Sequence, residues 1–158
     1  MRVLGIDPGI TVVGWGVVDG TGQELELVSS GRICLSSEKP FPDKLKSICR
    51  EVENLIREFT PAVVSIENPF LARNPEVLAK VARVVGALEL TAINNDLQVA
   101  GYSVSEIKQA VVGYGRAEKG QVREMVKVLL GMKERPRSFD AADALACAIC
   151  HHNLSTQG

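Results

Sequence analysis

The sequence lacks several features that would place it in a large class of proteins. No uninterrupted apolar run reaches the roughly 18 residues that a membrane-spanning helix needs. The start has no basic region followed by a long apolar stretch and a cleavage site. Neither an internal repeat nor a low-complexity segment is present. We therefore expect a cytoplasmic protein with no membrane association, folded as one domain over residues 1–158.

Histidine is also scarce, which limits the chemistry that the chain can perform. The only histidines, His151 and His152, stand late in the last predicted helix, so we expect a reaction that needs no protein nucleophile. The segment Cys147 to His151 matches a haem-attachment pattern, but the chain has no export signal, and a zinc site there would lack a fourth ligand. We expect free thiols at all four cysteines, which are Cys34, Cys49, Cys147 and Cys150.

An excess of charge of one sign is absent too, since the net charge is −1. The distribution is uneven, however. Residues 70–137 hold 11 Lys and Arg against 7 Asp and Glu, whereas residues 1–69 hold 7 against 10. A basic middle permits a localised basic face that binds a polyanion. A mixed, solvated surface is the alternative.

The order of hydrophobic patterns predicts an α/β fold. Three strand-like runs come first and indicate an antiparallel meander. An amphipathic helix, a strand, a helix, a strand and further helices follow. This order implies a mixed five-stranded sheet, a meander plus parallel strands, flanked by helices. The predicted strands are 3–6, 11–19, 23–35, 62–66 and 98–103, and the predicted helices are 44–59, 75–95, 105–112, 122–130 and 138–152.

Four carboxylates stand at positions that suit a metal site. Asp7 and Glu67 each end an apolar strand, and Asp140 and Asp143 are three apart on one helix face. Asp7 could instead only open a turn with Pro8, and the helix pair could only complement the helix dipole. If the four converge, their oxygens suit two Mg²⁺ ions, with Mn²⁺ as a substitute, in a site for phosphodiester hydrolysis.

Four motifs together resemble the RuvC family of bacterial Holliday-junction resolvases. They occur in the family's order and spacing, and the resemblance spans essentially the whole chain. The motifs are Gly5-Ile6-Asp7-Pro8-Gly9 with Gly14-Trp15-Gly16, Ile66-Glu67-Asn68-Pro69-Phe70, Val112 to Val122, and Asp140-Ala141-Ala142-Asp143 followed by Ala144-Leu145-Ala146.

This resemblance implies a ribonuclease-H-like nuclease domain. It implies a homodimer that nicks two opposing strands of a four-way DNA junction and works beside the RuvA-RuvB branch-migration complex in recombination and repair. The four acids match the family's catalytic acids one by one, and the products would carry 5′-phosphate ends. Pro69 departs from the pattern, because many relatives have an aliphatic residue there, so the path of this loop is open.

The predicted DNA contacts rest partly on the basic middle and partly on this resemblance. Phe70 follows Pro69 on an expected loop, where it would stack on an unpaired base; packing on the next helix is the alternative. Arg116 and Lys119 flank a glycine-containing turn at a helix start, which is suited to phosphate. The predicted contacts are Phe70, Arg73, Lys108, Arg116, Lys119 and Arg123.

Two other functions remain open from the sequence. One is a non-catalytic junction-binding module, which would gain nothing from four carboxylates that face phosphate. The other is a nucleotide-binding domain of the actin and sugar-kinase type, which also places an Asp before a glycine-containing turn. Such proteins need two domains and a second phosphate loop.

Overall fold

The structure is a computed structural model, and it describes residues 1–21, 24–69 and 74–155. The strands in these ranges are β1 (Arg2–Asp7), β2 (Val12–Thr21), β3 (Glu24–Cys34), β4 (Val63–Asn68) and β5 (Gln98–Ser103). The helices are α1 (Phe41–Phe59), α2 (Pro75–Asn94), α3 (Val104–Val112), α4 (Lys119–Leu129) and α5 (Phe139–Ser155). None of these helices is long and apolar enough to cross a membrane.

The strands form one mixed sheet in the order β3-β2-β1-β4-β5. β1 pairs antiparallel with β2, and β2 pairs antiparallel with β3. β4 is parallel to β1, and β5 is parallel to β4. This arrangement confirms the predicted meander followed by parallel strands.

Helices cover both faces of the sheet. Successive side chains of β1 point to opposite faces, so they contact different helices. Leu4 and Ile6 are fully buried in one core, with residues of α1 and α2. Val3 is buried in the other core, among residues of α3, α4 and α5. Because side chains alternate along a strand, Gly5 and Asp7 share the face of Val3, which α5 covers.

α5 approaches the sheet closely because glycines face it. A Cβ at Gly5 would lie 2.0 Å from the backbone oxygen of Ala144, and a Cβ at Gly14 would lie 2.1 Å from that of Asp140. Alanines supply much of the buried surface of α5. The small residues predicted to let this helix press on a neighbour therefore do so, and its first turn sits at the sheet edge where β1 ends.

Two helix starts differ from the sequence prediction. α1 begins at Phe41, so Pro42 lies in its first turn, where a missing N–H costs nothing. α4 begins at Lys119, where Glu118 and Gln121 form a capping box. Both are start signals that hydrophobic spacing alone does not report.

Candidate active site

The fold brings the four predicted acids to one edge of the sheet. β1 and β4 are parallel neighbours in which Ile6 pairs with Ile66. The next residues, Asp7 and Glu67, therefore lie side by side where the strands end. Asp140 and Asp143 come from the first turns of α5, which crosses this edge. The relative positions of the four acids are thus set by the register of the two strands and by the packing of α5 on the sheet.

Three of the acids line one small pocket. The pocket has a volume of about 170 Å³, and Asp7, Glu67 and Asp143 share it with Lys108 and Lys119. Side chains of α3 and α4 complete its apolar wall. Asp140 does not line it, but its charge acts on Asp7, so it stands beside the pocket.

Burial and the charges of neighbouring acids raise the pKa of three of these carboxyls. Desolvation, then the charges of Glu67, Asp143 and Asp140, raise the pKa of Asp7 from its ordinary 3.8 to about 8. Desolvation, then the charge of Asp143, raise the pKa of Glu67 from 4.5 to about 7. Desolvation also raises the pKa of Asp143. Perturbed acids of this kind, gathered in a pocket, are typical of a functional site.

Lysines offset only part of this charge. Nζ of Lys119 lies 3.6 Å from Oδ2 of Asp143. Its charge lowers the pKa of Asp7, Glu67 and Asp143, and Lys108 adds a smaller effect on Glu67 and Asp143. Lys119 begins α4 and Lys108 lies on α3, so both helices point a cation at the pocket.

The donor set fits a hard divalent cation. Each of the four side chains offers carboxylate oxygens, the ligands that Mg²⁺ and Mn²⁺ prefer. Within the described ranges, no three Asp, Glu, His or Cys side chains stand close enough to ligate one ion as placed. Mutual repulsion of uncompensated carboxylates favours such a spread arrangement. The residues present therefore fit a divalent ion in the chemistry of their ligand atoms.

The other predicted DNA contacts have different outcomes. Lys108 and Lys119 reach the pocket, as described. Arg116 is exposed in the loop between α3 and α4. Phe70 and Arg73 lie outside the residues that the structure describes.

Arg123 makes contacts that the sequence did not predict. Its Nε donates a hydrogen bond to the carbonyl oxygen of Pro136 at 2.8 Å. Its guanidinium lies 4.8 Å from the centre of the Phe139 ring. The side chain thus ties α4 to the linker that leads into α5. Its predicted contact with DNA stays a prediction.

A buried hydrogen bond beneath the acids was also missed. Ser65 Oγ lies 3.0 Å from the carbonyl oxygen of Cys147, to which it donates, and 3.1 Å from its Sγ. Ser65 precedes Glu67 by two residues, and Cys147 follows Asp143 by four, so this pair sits directly below the two acids. The one signal in the sequence that could have indicated this bond is the single polar residue inside the apolar run of β4. The bond joins the strand and the helix that carry the site.

Replacing Asp7 should stabilise the metal-free protein in a pH-dependent way. Because its pKa is about 8 in the folded state and near 3.8 when unfolded, the folded state alone keeps the proton between these values. The stability of the wild-type protein therefore falls as the pH rises from 4 to 8. An Asn side chain does not ionise, so the variant keeps this stability. In EDTA, Asp7→Asn should melt roughly 3–8 °C above wild type at pH 8, and by less at pH 5. Calorimetry at both pH values measures the difference in melting temperature between the variant and the wild type. An equal difference at pH 5 and pH 8 would contradict this prediction.

The sheet order and the acidic pocket define a ribonuclease-H-like nuclease fold. The family model described as crossover junction endodeoxyribonuclease RuvC matches residues 3–151. Proteins of that name from Magnetococcus marinus and Finegoldia magna are 41% and 44% identical, over 97% and 96% of this chain and 84% and 92% of their own.

A solved structure agrees with these sequence matches. Thermus thermophilus RuvC in complex with a Holliday junction substrate is 36% identical, with a TM-score of 0.94 over 100% of this chain and 96% of that one. The chain belongs to the RuvC family of crossover junction endodeoxyribonucleases. This membership confirms the resemblance seen in the motifs, and it favours neither the junction-binding module nor the nucleotide-binding domain.

Proposed function

We propose that this protein resolves four-way DNA junctions by divalent-metal-dependent hydrolysis of one phosphodiester bond in each of two opposing strands. The observation that carries the proposal is the convergence of Asp7, Glu67, Asp140 and Asp143 at one sheet edge, with two lysines beside them. The Thermus relative, which was solved with a Holliday junction substrate, supports the choice of DNA. Residues 1–158 act as a single nuclease domain.

The four carboxylates would hold two Mg²⁺ ions, and Mn²⁺ would substitute. Bound there, these ions would supply an activated water and stabilise the leaving oxygen. Asp7 lies at the centre of the cluster, since each of the other three acids raises its pKa. From the end of β4, Glu67 would orient one metal ion and the attacking water. Asp140 and Asp143 on α5 would complete the set of metal ligands. The products carry 5′-phosphate and 3′-hydroxyl ends.

The pocket lysines have a separate task. Lys119 pairs with Asp143 before substrate arrives, and this pairing offsets part of the repulsion. When a phosphate enters, Lys119 and Lys108 can turn their ammonium groups to it, because both side chains already line the pocket. They position the phosphate and neutralise its negative charge, which the acids would otherwise repel.

Resolution of a junction needs two sites, and we assign the second to a second copy of the chain. α2 carries exposed apolar side chains, among them Leu90 and Ile93, which are 58% and 59% exposed. Two such helices packed about a twofold axis would bury them. Partnership with RuvA-RuvB and a cytoplasmic location belong to the same proposal, as the family resemblance implies.

A cleavage assay on a mobile synthetic junction tests this function. With Mg²⁺ the wild-type protein should produce paired nicks at symmetric positions in opposing strands, with 5′-phosphate ends. EDTA should abolish them, and a linear duplex of the same sequence should stay intact. Junction binding with no nick in Mg²⁺ or Mn²⁺ would contradict a nuclease, and equal cutting of the duplex would contradict junction selectivity.

Phe70 should matter for cleavage more than for folding. We expect it to stack on an unpaired base, a contact typically worth about 1–3 kcal/mol. Phe70→Ala should therefore slow junction cleavage roughly tenfold or more, with an unchanged melting temperature. Phe70→Trp, which keeps an aromatic face, serves as the matched control and should cleave well. Wild-type cleavage rates in Phe70→Ala would exclude stacking.

A further inference from the structure

A basic groove lies across the first turn of α5 from the acidic pocket. It has a volume of about 900 Å³ and runs between β3 and the linker that joins α4 to α5. Two acids, Glu26 and Glu134, share its lining. The cations that line it are all exposed, and they are Arg32, Lys133, Arg135 and Arg137.

Most of these cations are available to bind an anion. Arg135 is held by Glu124 on α4. For the part of the chain that the structure describes, Arg32, Lys133 and Arg137 form no ion pair with an acidic side chain. Arg32 lies outside the basic middle of the sequence, and Lys133 and Arg137, which lie near its end, are not among the predicted DNA contacts.

Strand register places this groove next to the acids. Asp7 pairs with Gly14 across β1 and β2, and Gly14 pairs with Arg32 across β2 and β3. Cross-strand partners project to the same face, so Asp7 and Arg32 both point to the side of α5. Two strand spacings separate their Cα atoms by roughly 10 Å. Between them Gly14 has no side chain, and the backbone of Asp140 lies directly over it.

The linker presents its cations from a fixed backbone. Pro136 is buried, and Arg123 donates to its carbonyl oxygen. Two residues further on, Ser138 Oγ accepts a hydrogen bond from the backbone N–H of Ala141 at 3.1 Å. The segment that carries Lys133 and Arg137 is therefore anchored at both α4 and α5.

We propose that the cleaved strand runs from the acidic pocket across the first turn of α5 into this groove, where Arg32, Lys133 and Arg137 bind its phosphates. The inference rests on the proposed nuclease function. A strand whose scissile phosphate meets four carboxylates needs cations for the neighbouring phosphates. At 3.4 Å of axial rise per nucleotide, roughly 10 Å places the contacted phosphates within about three nucleotides of the cut.

The salt dependence of junction binding tests the groove. Arg32→Ala/Arg137→Ala should weaken binding to a four-way junction in EDTA about tenfold or more. The slope of log K against log[salt] should become shallower by about 2, because each phosphate contact contributes about 0.9. Lys46→Ala removes an exposed cation from α1, on the opposite face of the sheet, and should leave both unchanged. A double variant with the wild-type slope would overturn the inference.

Uncharged linkages in place of single DNA phosphates would show which phosphates the groove contacts. Methylphosphonates placed within three nucleotides of the cut, on one side at a time, should weaken wild-type binding from one side only. The same linkages should have a smaller effect on the double variant, which lacks two of the three cations proposed to bind these phosphates. Equal weakening of both proteins would overturn the groove as the binding site.

The same samples separate this inference from the function on which it rests. Absence of wild-type cleavage of the unmodified junction in Mg²⁺ would overturn the nuclease itself. Normal wild-type cleavage, together with an unaltered salt slope in the double variant, would overturn the groove alone. Equal melting temperatures would show that the variants fold, as expected for exposed side chains.

Discussion

Asp7→Asn should reduce junction cleavage by at least about 10³-fold, which corresponds to about 4 kcal/mol of transition-state stabilisation. The substitution keeps the size of the side chain and removes the charge at the centre of the acidic cluster. The charges of the other three acids all act on Asp7, so the substitution removes the carboxylate that all of them face. Single-turnover cleavage of a labelled junction in Mg²⁺ measures the loss.

Junction binding by the same variant should persist. Removal of a negative charge that faces phosphate favours DNA binding, so the dissociation constant in EDTA should stay equal or fall. Asp96→Asn is the matched control, because Asp96 is exposed in a turn with φ 59°, a conformation that Asn tolerates well. It should cleave like wild type. Appreciable cleavage by Asp7→Asn, or equal loss in Asp96→Asn, would contradict a role for Asp7 in holding metal.

Gly14→Ala should damage both the fold and the site. An added Cβ would lie 2.1 Å from the oxygen and 2.5 Å from the carbonyl carbon of Asp140. Both atoms are backbone, so no side-chain rotation relieves the overlap and the first turn of α5 must move. We expect a loss of about 3 kcal/mol or more in the free energy of unfolding. Cleavage should fall about 100-fold, since a displacement of 1 Å at a reacting site has that effect.

A second glycine provides the comparison for this variant. Gly120 lies in α4, and a Cβ there would meet nothing within 4 Å. Gly120→Ala should leave stability unchanged or raise it by up to about 1 kcal/mol. Thermal unfolding in EDTA and single-turnover cleavage report the two effects. A Gly14→Ala protein with wild-type stability and rate would show that α5 is not seated on β2 as described.

The proximity of the four acids could be predicted from the sequence because its main determinants are local or periodic. Asp7 and Glu67 each follow an apolar strand, and parallel strands end at the same sheet edge, so their proximity follows from the fold class. Asp140 and Asp143 share a helix face because they are three residues apart. Each of these inferences needs only a strand alternation or a helical repeat.

The contacts that could not be predicted depend on tertiary register. Arg32 reaches the neighbourhood of the acids only because β3 pairs with β2 in one register, which hydrophobic patterns do not set. The contacts of the Arg123 guanidinium with Pro136 and Phe139 also join elements whose relative placement the hydrophobic pattern does not set. The closeness of Gly14 to α5 likewise follows from packing between elements far apart in sequence.

A sulfur substitution at the scissile phosphate would test most directly whether metal held by the four acids meets the DNA. A junction with a phosphorothioate at each cut should be cleaved about 100-fold more slowly than the normal junction in Mg²⁺, a hard ion that binds sulfur poorly. Mn²⁺, which accepts softer ligands, should restore most of the rate. Equal slowing in both metals, or cleavage in EDTA, would contradict metal contact with the scissile phosphate.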